Sequence, residues 1–385
     1  MLSVKKTIEF IKTIFPGEDF IPLHAPVFSG NEKKYISNCI DSTFVSSVGK
    51  YVDQFEEMVK EFTGVKYAVA TTNGTAALHL ALVVAGVKKD DEVLTQALSF
   101  VATTNAIKYT GANPVFVDVS RTNMGMCPDS LQLFLTEFAE MKGGDCYNKL
   151  TGKKISACVP MHTFGFPCDI KKIVEICAAY NILVVEDAAE SLGSFVENIH
   201  TGNFGALGVI SFNGNKVLTT GGGGMILTNN KELAEKAKYL STTAKVPHKW
   251  EYFHDEVGYN YRMPNINAAI GCAQMEGLVE TLKKKKELFE KYEVFFDQIS
   301  NINLFNDPSN ELVNYWLITL VLSDKSAREK FLEYSNSNGV MTRPSWQLLN
   351  TLPMYVNCQK GNLDNSEYLS DRIVNIPSSI SKENN

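Results

Sequence analysis

Val184–Glu190 reads VVEDAAE, and Val209–Lys216 reads VISFNGNK. In each stretch an apolar, β-branched run breaks off into charged or small polar residues. Such a run reads as a strand buried on both faces. In open α/β sheets ligands bind beyond the carboxyl ends of such strands. A carboxylate there, Glu186 or Asp187, can hold a metal, a ribose or a protonated ring nitrogen, or can be an ordinary loop acid. A lysine there, Lys216, can form a Schiff base where desolvation and nearby charge lower its pKa, although most lysines are solvated surface groups.

The same alternation extends outward on both sides. Tyr67–Thr71, Glu92–Thr95, Pro114–Asp118, Ser156–Pro160, Ile182–Glu186, Val209–Phe212 and Met225–Thr228 read as strands. Helical patterns at Gly74–Ala85, Val101–Tyr109, Ile170–Tyr180 and Lys231–Leu240 separate several of them. Apolar strands alternating with helices predict βαβ units and a mostly parallel sheet covered on both faces. After residue 262 the pattern changes. Met263–Glu276 and Leu278–Ser300 read as consecutive helices, Asn314–Ser323 as a strand, Lys325–Asn338 as a helix and Val340–Thr342 as a short strand. The expected organisation is a large domain with its N-terminal segment over 1–275 and a small C-terminal α+β domain over 276–385. The run KKKKE at 283–287 reads as a solvated helix face, and 143–153 as a polar loop insertion.

The composition agrees with a soluble globular protein. The chain has 385 residues, 44% hydrophobic and 21% charged, with net charge -6. That balance excludes a disordered, collagen-like or coiled-coil chain as a whole. A mildly acidic chain without a dense basic tract is a poor nucleic-acid binder, so no nucleic-acid partner is expected. No apolar run is long enough to span a bilayer, and the N-terminus lacks the pattern of a signal peptide; no membrane association and a cytoplasmic location are expected. Eight cysteines contain no CxxC pair and read as free thiols in a reducing compartment; no metal site is expected.

Two glycine-bearing motifs complete the pattern. Thr72-Asn73-Gly74-Thr75-Ala76-Ala77 follows a strand and opens a helix. Backbone N–H groups at a helix N-terminus attract an anion, and a threonine hydroxyl adds a donor. An ordinary N-cap at Asn73 would look the same. Gly221–Gly224 precedes a strand rather than a helix, so it is not a dinucleotide loop and reads as a permissive turn beside Lys216.

An anion-binding helix start, a strand-end Asp and then a Lys is the order of a fold-type-I enzyme using pyridoxal phosphate. The chain resembles the DegT/DnrJ/EryC1/StrS family of nucleotide-sugar aminotransferases from about Ile21 to Ser379. The resemblance is carried by FVSSVGKYVDQFE (44–56), ATTNGTAALHLAL (70–82), EDAAESLGS (186–194), SFNGNK (211–216) and GYNYRMPNINAAIGCAQ (258–274). It implies the aspartate aminotransferase-like PLP-dependent transferase fold, with a large, mostly parallel sheet domain and a small α+β C-terminal domain. It implies Lys216 as the Schiff-base lysine and proton shuttle, and Asp187 as the partner of the pyridine nitrogen. Gly74, Thr75 and Ser211 are implied for the phosphate, Phe100 for stacking on the ring, and Glu190 near the ring 3-oxygen, a position that is commonly Gln. Asn260 is implied to reach the phosphate of a neighbouring subunit, making the active unit a homodimer with shared sites. Ser46, Ser47, His162, Arg262 and Trp346 are candidate nucleotide-sugar contacts.

SFNGNKVLTTGGGGMI and the closing NIPSS most resemble the subgroup acting on UDP-linked 4-keto-6-deoxy-N-acetylhexosamine. The expected reaction is transfer of an amino group from L-glutamate to C4 of that sugar, for surface glycans such as lipopolysaccharide. The alternative is another ketosugar, such as GDP-4-keto-6-deoxymannose in a perosamine-type reaction. A dehydratase branch of the family carries histidine in place of the lysine, and Lys216 argues against it. A non-catalytic regulatory protein on the same fold would need a DNA-binding segment, and none of that size precedes residue 20. Many relatives continue beyond the position of Ser379 with a closing helix, and here only ISKENN follows.

Overall fold

The computed structural model describes residues 2–306 and 312–380. A seven-stranded sheet lies at its centre. Its strands are β1 (Tyr67–Thr71), β2 (Glu92–Gln96), β3 (Asn113–Val117), β4 (Ile155–Val159), β5 (Leu183–Asp187), β6 (Leu207–Ser211) and β7 (Gly224–Thr228). The order across the sheet is β1-β7-β6-β5-β4-β2-β3. Strands β2 to β6 run parallel, and β7 runs against its neighbours β6 and β1. Every residue of β2, β4, β6 and β7 is buried, as a sheet covered on both faces requires.

Register places the chemistry. Val209 of β6 pairs with Asp187 at the end of β5, so Ser211 reaches just beyond that carboxylate. Both side chains therefore sit at the carboxyl edge of the sheet. The helix Gly74–Val84 starts at the same edge and is buried along almost its whole length. Gly224 lets β7 pass close beneath that start: a Cβ there would lie 2.5 Å from the Asn73 carbonyl oxygen and 2.8 Å from the Gly74 nitrogen.

The second unit is a four-stranded antiparallel sheet of β8 (Ile302–Leu304), β9 (Ile318–Leu322), β10 (Arg343–Pro344) and β11 (Ile373–Ile376), in the order β8-β9-β11-β10. Helices Leu278–Phe296 and Lys325–Ser337 accompany it. The N-terminal helix Leu2–Ile14 buries Ile8 and Ile11 in this unit's core, with Leu288, Phe289, Tyr292 and Val374. The sequence grouped this segment with the large domain; packing joins it to the small unit. A helix this short is marginal alone and is held by whichever apolar surface it meets.

Three local expectations differ from what is found. Val340 makes only an isolated bridge to Ile21, and the ladder forms at Arg343–Pro344 instead. The polar insertion begins inside a hairpin, Ala139–Lys142 against Asp145–Asn148. The lysine run is not uniformly solvated: Lys285 is fully buried, donating to the carbonyls of Trp316 (3.2 Å) and Ser378 (2.7 Å). A helix carries a residue from one face to the other within two positions, so four consecutive lysines cannot all face water on a packed helix. Residues 381–385, at the end of the chain, lie outside the described residues.

Candidate active site

The anion end of the site is built from helix geometry. Asn73 caps the helix Gly74–Val84, its Oδ1 accepting the Ala76 N–H at 2.8 Å. The cap forms, and it coexists with a place in a cavity: Asn73, Gly74, Thr75 and Ser211 all line one cavity of about 290 Å³. A Cβ on Gly74 would meet the Ser211 Cβ at 2.8 Å. The glycine thus opens a cradle of backbone and hydroxyl groups at the positive end of a helix.

Strand alternation separates the two acids at the end of β5. Glu186 points away from the cavity and is wholly structural in its contacts. It accepts the N–H groups of Gly202 (2.8 Å), Phe204 (2.7 Å) and Gly205 (2.7 Å) and meets His162 Nε2 at 3.0 Å. Asp187 points into the cavity and is buried. Its carboxylate accepts the Thr103 hydroxyl at 2.7 Å and the Ala189 N–H at 3.2 Å. Burial pushes its pKa up, and the two hydrogen bonds and the Lys216 charge act against that. A buried carboxylate with an open side is set to take a cationic partner.

Lys216 stands opposite. Its Nζ lies 3.0 Å from Glu190 Oε1, with the two side chains only 14% and 2% exposed. The ammonium also sits 3.8 Å from the centre of the Trp316 ring, a cation–π contact. Trp316 is fixed in turn, its Nε1 donating to the Asn215 carbonyl at 2.6 Å. Glu190 Oε2 accepts the Phe164 N–H at 2.9 Å. Burial raises the Glu190 pKa to about 7; Lys216 and the Phe164 N–H oppose that shift, and Asp187 adds to it. Phe100 forms the outer wall, exposed on one side and 6.1 Å from Trp346, which packs on Phe164 at 4.9 Å.

The cavity therefore gathers Gly74, Thr75, Phe100, Asp187, Glu190, Ser211, Lys216 and the candidate sugar contact Trp346. It does not gather His162, which is fully buried. His162 Nδ1 accepts the Cys168 N–H at 3.2 Å, so Nε2 carries the proton toward Glu186. With both nitrogens engaged it is a prop beneath the site, not a substrate contact. Ser46 and Asn260 are exposed away from the cavity. Ser47 and Arg262 line a separate cleft of about 230 Å³. Thr103 and Trp316 were not found from sequence. Thr103 stands one helical turn after Phe100, and that spacing was the available signal; Trp316 comes from a distant strand approach and left none.

These residues fit pyridoxal phosphate: a cradle at a helix start for its phosphate, a buried carboxylate for its ring nitrogen, and an amine for its aldehyde. A profile of the DegT/DnrJ/EryC1/StrS aminotransferase family matches residues 27–384. The chain belongs to this family. Its cofactor is pyridoxal phosphate, and its fold is that of the type I PLP-dependent aminotransferases. A GDP-perosamine synthase of Escherichia coli O157:H7 is 36% identical over 367 residues, 95% of each chain. EpsN of Bacillus subtilis (strain 168), whose name places it among pyridoxal phosphate-dependent aminotransferases, is 37% identical over 335 residues, covering 87% of this chain and 84% of EpsN. Among solved structures, the aminotransferase TlmJ from Streptoalloteichus hindustanus superposes with a TM-score of 0.85 at 25% identity, over 95% of each chain. Family membership makes this chain a sugar aminotransferase acting with a nucleotide-sugar and an amino donor. None of the described helices is long and apolar enough to cross a membrane.

Proposed function

We propose that this DegT/DnrJ/EryC1/StrS aminotransferase moves an amino group from L-glutamate to C4 of GDP-4-keto-6-deoxymannose, a perosamine-type reaction carried out in the cytoplasm. The observation that carries the nucleotide is the 36% identity to a GDP-perosamine synthase over 95% of both chains. A second reading, a UDP-linked 4-keto-6-deoxy-N-acetylhexosamine, is favoured by the segment SFNGNKVLTTGGGGMI and the closing NIPSS.

Pyridoxal phosphate, when bound, supplies the electron sink for the amino-group exchange. The chain's own residues do the rest. Asn73, Gly74, Thr75 and Ser211 seat the phosphate. Asp187, held in place by Thr103, would keep the ring nitrogen protonated. Phe100 would cover one face of the ring, and Trp346, also on the cavity wall, would meet the sugar. Lys216 would hold the group through its amine, and that amine, once free, would serve as the acid–base that moves a proton at the donor carbon. The test is a panel of GDP-, UDP- and dTDP-linked 4-keto-6-deoxy sugars with L-glutamate, products identified by NMR. Turnover restricted to the UDP-HexNAc substrate would replace the first reading with the second.

The active unit in this reading is a homodimer. Asn260 is exposed and pairs with Thr242, beside the cleft that holds Ser47 and Arg262. Trp250, Tyr252, Phe253 and Val257 are all more than half exposed just ahead of it. A run of exposed aromatic surface marks an interface. Two-fold pairing would carry Asn260, with Ser46, Ser47 and Arg262, toward the partner's cavity. Mixing inactive Lys216→Ala with an inactive Asn260→Ala variant should restore activity, since some mixed dimers hold one intact site. Subunit exchange without recovery would show the sites to be independent.

A further inference from the structure

The two partners of the Lys216 amine come from separate segments, the turn at Glu190 and the approach to β9. One side chain holds both segments: Asn314, only 1% exposed. Its amide nitrogen donates to the Glu190 carbonyl at 2.8 Å and to the Leu192 carbonyl at 3.0 Å. Its Oδ1 accepts the Trp316 N–H at 2.8 Å. Two carbonyls on one side and an N–H on the other settle which end of the amide is nitrogen. A primary amide offers two donors and an acceptor from one head. Aspartate would set a carboxylate against two carbonyl oxygens, and serine or threonine has a single donor.

The surroundings make room for this amide and fix its backbone. Gly165, at φ 99, allows the approach, because a Cβ there would lie 1.9 Å from Asn314 Oδ1. The Asn314 N–H donates to Ser194 Oγ at 3.0 Å, and that hydroxyl donates to the Gly165 carbonyl at 2.6 Å. The Leu312 carbonyl of the same segment accepts the Phe195 N–H at 2.9 Å. Glu190, Leu192 and Trp316 are all buried, so water does not stand ready to replace the amide. Without it three buried backbone groups lose a partner, and both segments must shift to find new ones.

Those segments carry the surroundings of Lys216. Glu190 Oε1 lies 3.0 Å from its Nζ, and the centre of the Trp316 ring lies 3.8 Å from it. A lysine ends in a compact charge on a flexible four-carbon stem, so its place is set by what meets it at the tip. We propose that Asn314 is a positioning residue for Lys216, acting through Glu190 and Trp316 together. It lines no part of the cavity and belongs to the chain entering the small unit, so that unit helps to define a site built on the large sheet. The proposal rests on the reading of Lys216 as the working amine.

The experiment reads the amine chemically. Cofactor-free, full-length protein meets trace acetic anhydride at neutral pH, and mass spectrometry gives the acetylation rate of Lys216 relative to the exposed Lys236. Asn314→Ala should raise that rate about tenfold or more, because an amine that loses its facing carboxylate gives up its proton more readily and meets solvent. Asn314→Ser keeps one donor and one acceptor; it should raise the rate less, and it decides the matter where the alanine variant does not fold. Thr319→Val is the control. It removes another buried hydrogen bond of the small unit, to Asn375 Oδ1 at 2.8 Å, and should leave the Lys216 rate unchanged. An unchanged rate in the Asn314 variants would overturn the proposal. An equal rise in Thr319→Val would overturn it too, since the small unit would merely have loosened. In the loaded enzyme kcat should fall toward the roughly 10²-fold that a misplacement of about 1 Å costs, with KM for the nucleotide-sugar little changed. An unchanged kcat would also overturn the proposal. Attachment of pyridoxal phosphate to another residue in the wild type would instead remove the reading of Lys216 and leave the labelling result standing.

Discussion

Lys216 and Lys285 are both withdrawn from water, and their surroundings differ in every respect that matters to chemistry. Lys216 stands in a cavity, ion-paired to Glu190 and against the Trp316 ring. Lys285 lies in the core of the small unit, held by the carbonyls of Trp316 and Ser378. Burial pushes its pKa down to about 7. Trp316 touches both, its ring facing one lysine and its carbonyl the other. A depressed lysine pKa alone would nominate Lys285 for Schiff-base chemistry. The cavity, the facing carboxylate and the neighbouring anion cradle nominate Lys216. Accessibility and partners therefore decide function here, and burial by itself marks a structural clamp.

The largest expected effect separates the two lysines. Lys216→Ala should lower turnover by at least about 10²–10⁴-fold, the worth of a positioned acid–base group, while thermal unfolding stays close to wild type. Turnover above about one hundredth of wild type would remove the shuttle role. Next comes Asp187→Asn, which should retain some cofactor and lose most activity. A carboxylate close to a cation shifts its pKa by about 1–3 units, and the amide cannot. Near-normal transamination would make Asp187 no more than a strand-end acid like Glu186.

Gly74→Ala probes the cradle sterically. The added methyl would press on Ser211, an overpacking of roughly 1–3 kcal/mol. Cofactor affinity should fall while the sheet still folds; an unchanged dissociation constant by fluorescence titration would place the phosphate elsewhere. The smallest effect concerns Lys285→Met. The ordinary lysine pKa is 10.5 and the folded value about 7, so between them the unfolded chain binds more protons. The Lys285 contribution to folding stability should therefore rise with pH across that window. Denaturant titrations should show the wild type gaining on Lys285→Met as the pH increases. A difference that stays flat would mean the amine keeps its charge when folded.

The parallel sheet was legible because the strands from β3 to β6 each carry an apolar run, and such runs occur where both faces are covered. Motif order pointed to the cavity for a related reason: Gly74 opens a helix, Asp187 and Ser211 end strands, and Lys216 follows in the loop after Ser211. What escaped depends on long-range packing. His162 sits in a polar, turn-like segment, and nothing local says that Glu186 and Cys168 occupy both its nitrogens. Lys285 looks identical to Lys283 and Lys286 until the helix is docked. Trp316 approaches from the small unit and meets Lys216 only through tertiary structure. Asn260 cannot be placed by one chain at all, since its expected partner lies on another.

The central claim is that Lys216, and no other buried amine, holds the cofactor. Borohydride reduction of the loaded protein, followed by proteolysis and peptide mass spectrometry, fixes the attachment point irreversibly. The account predicts the pyridoxyl phosphate mass on the peptide containing SFNGNK, at Lys216. The same mass found on the 283–287 segment at Lys285, or on no lysine, would contradict it.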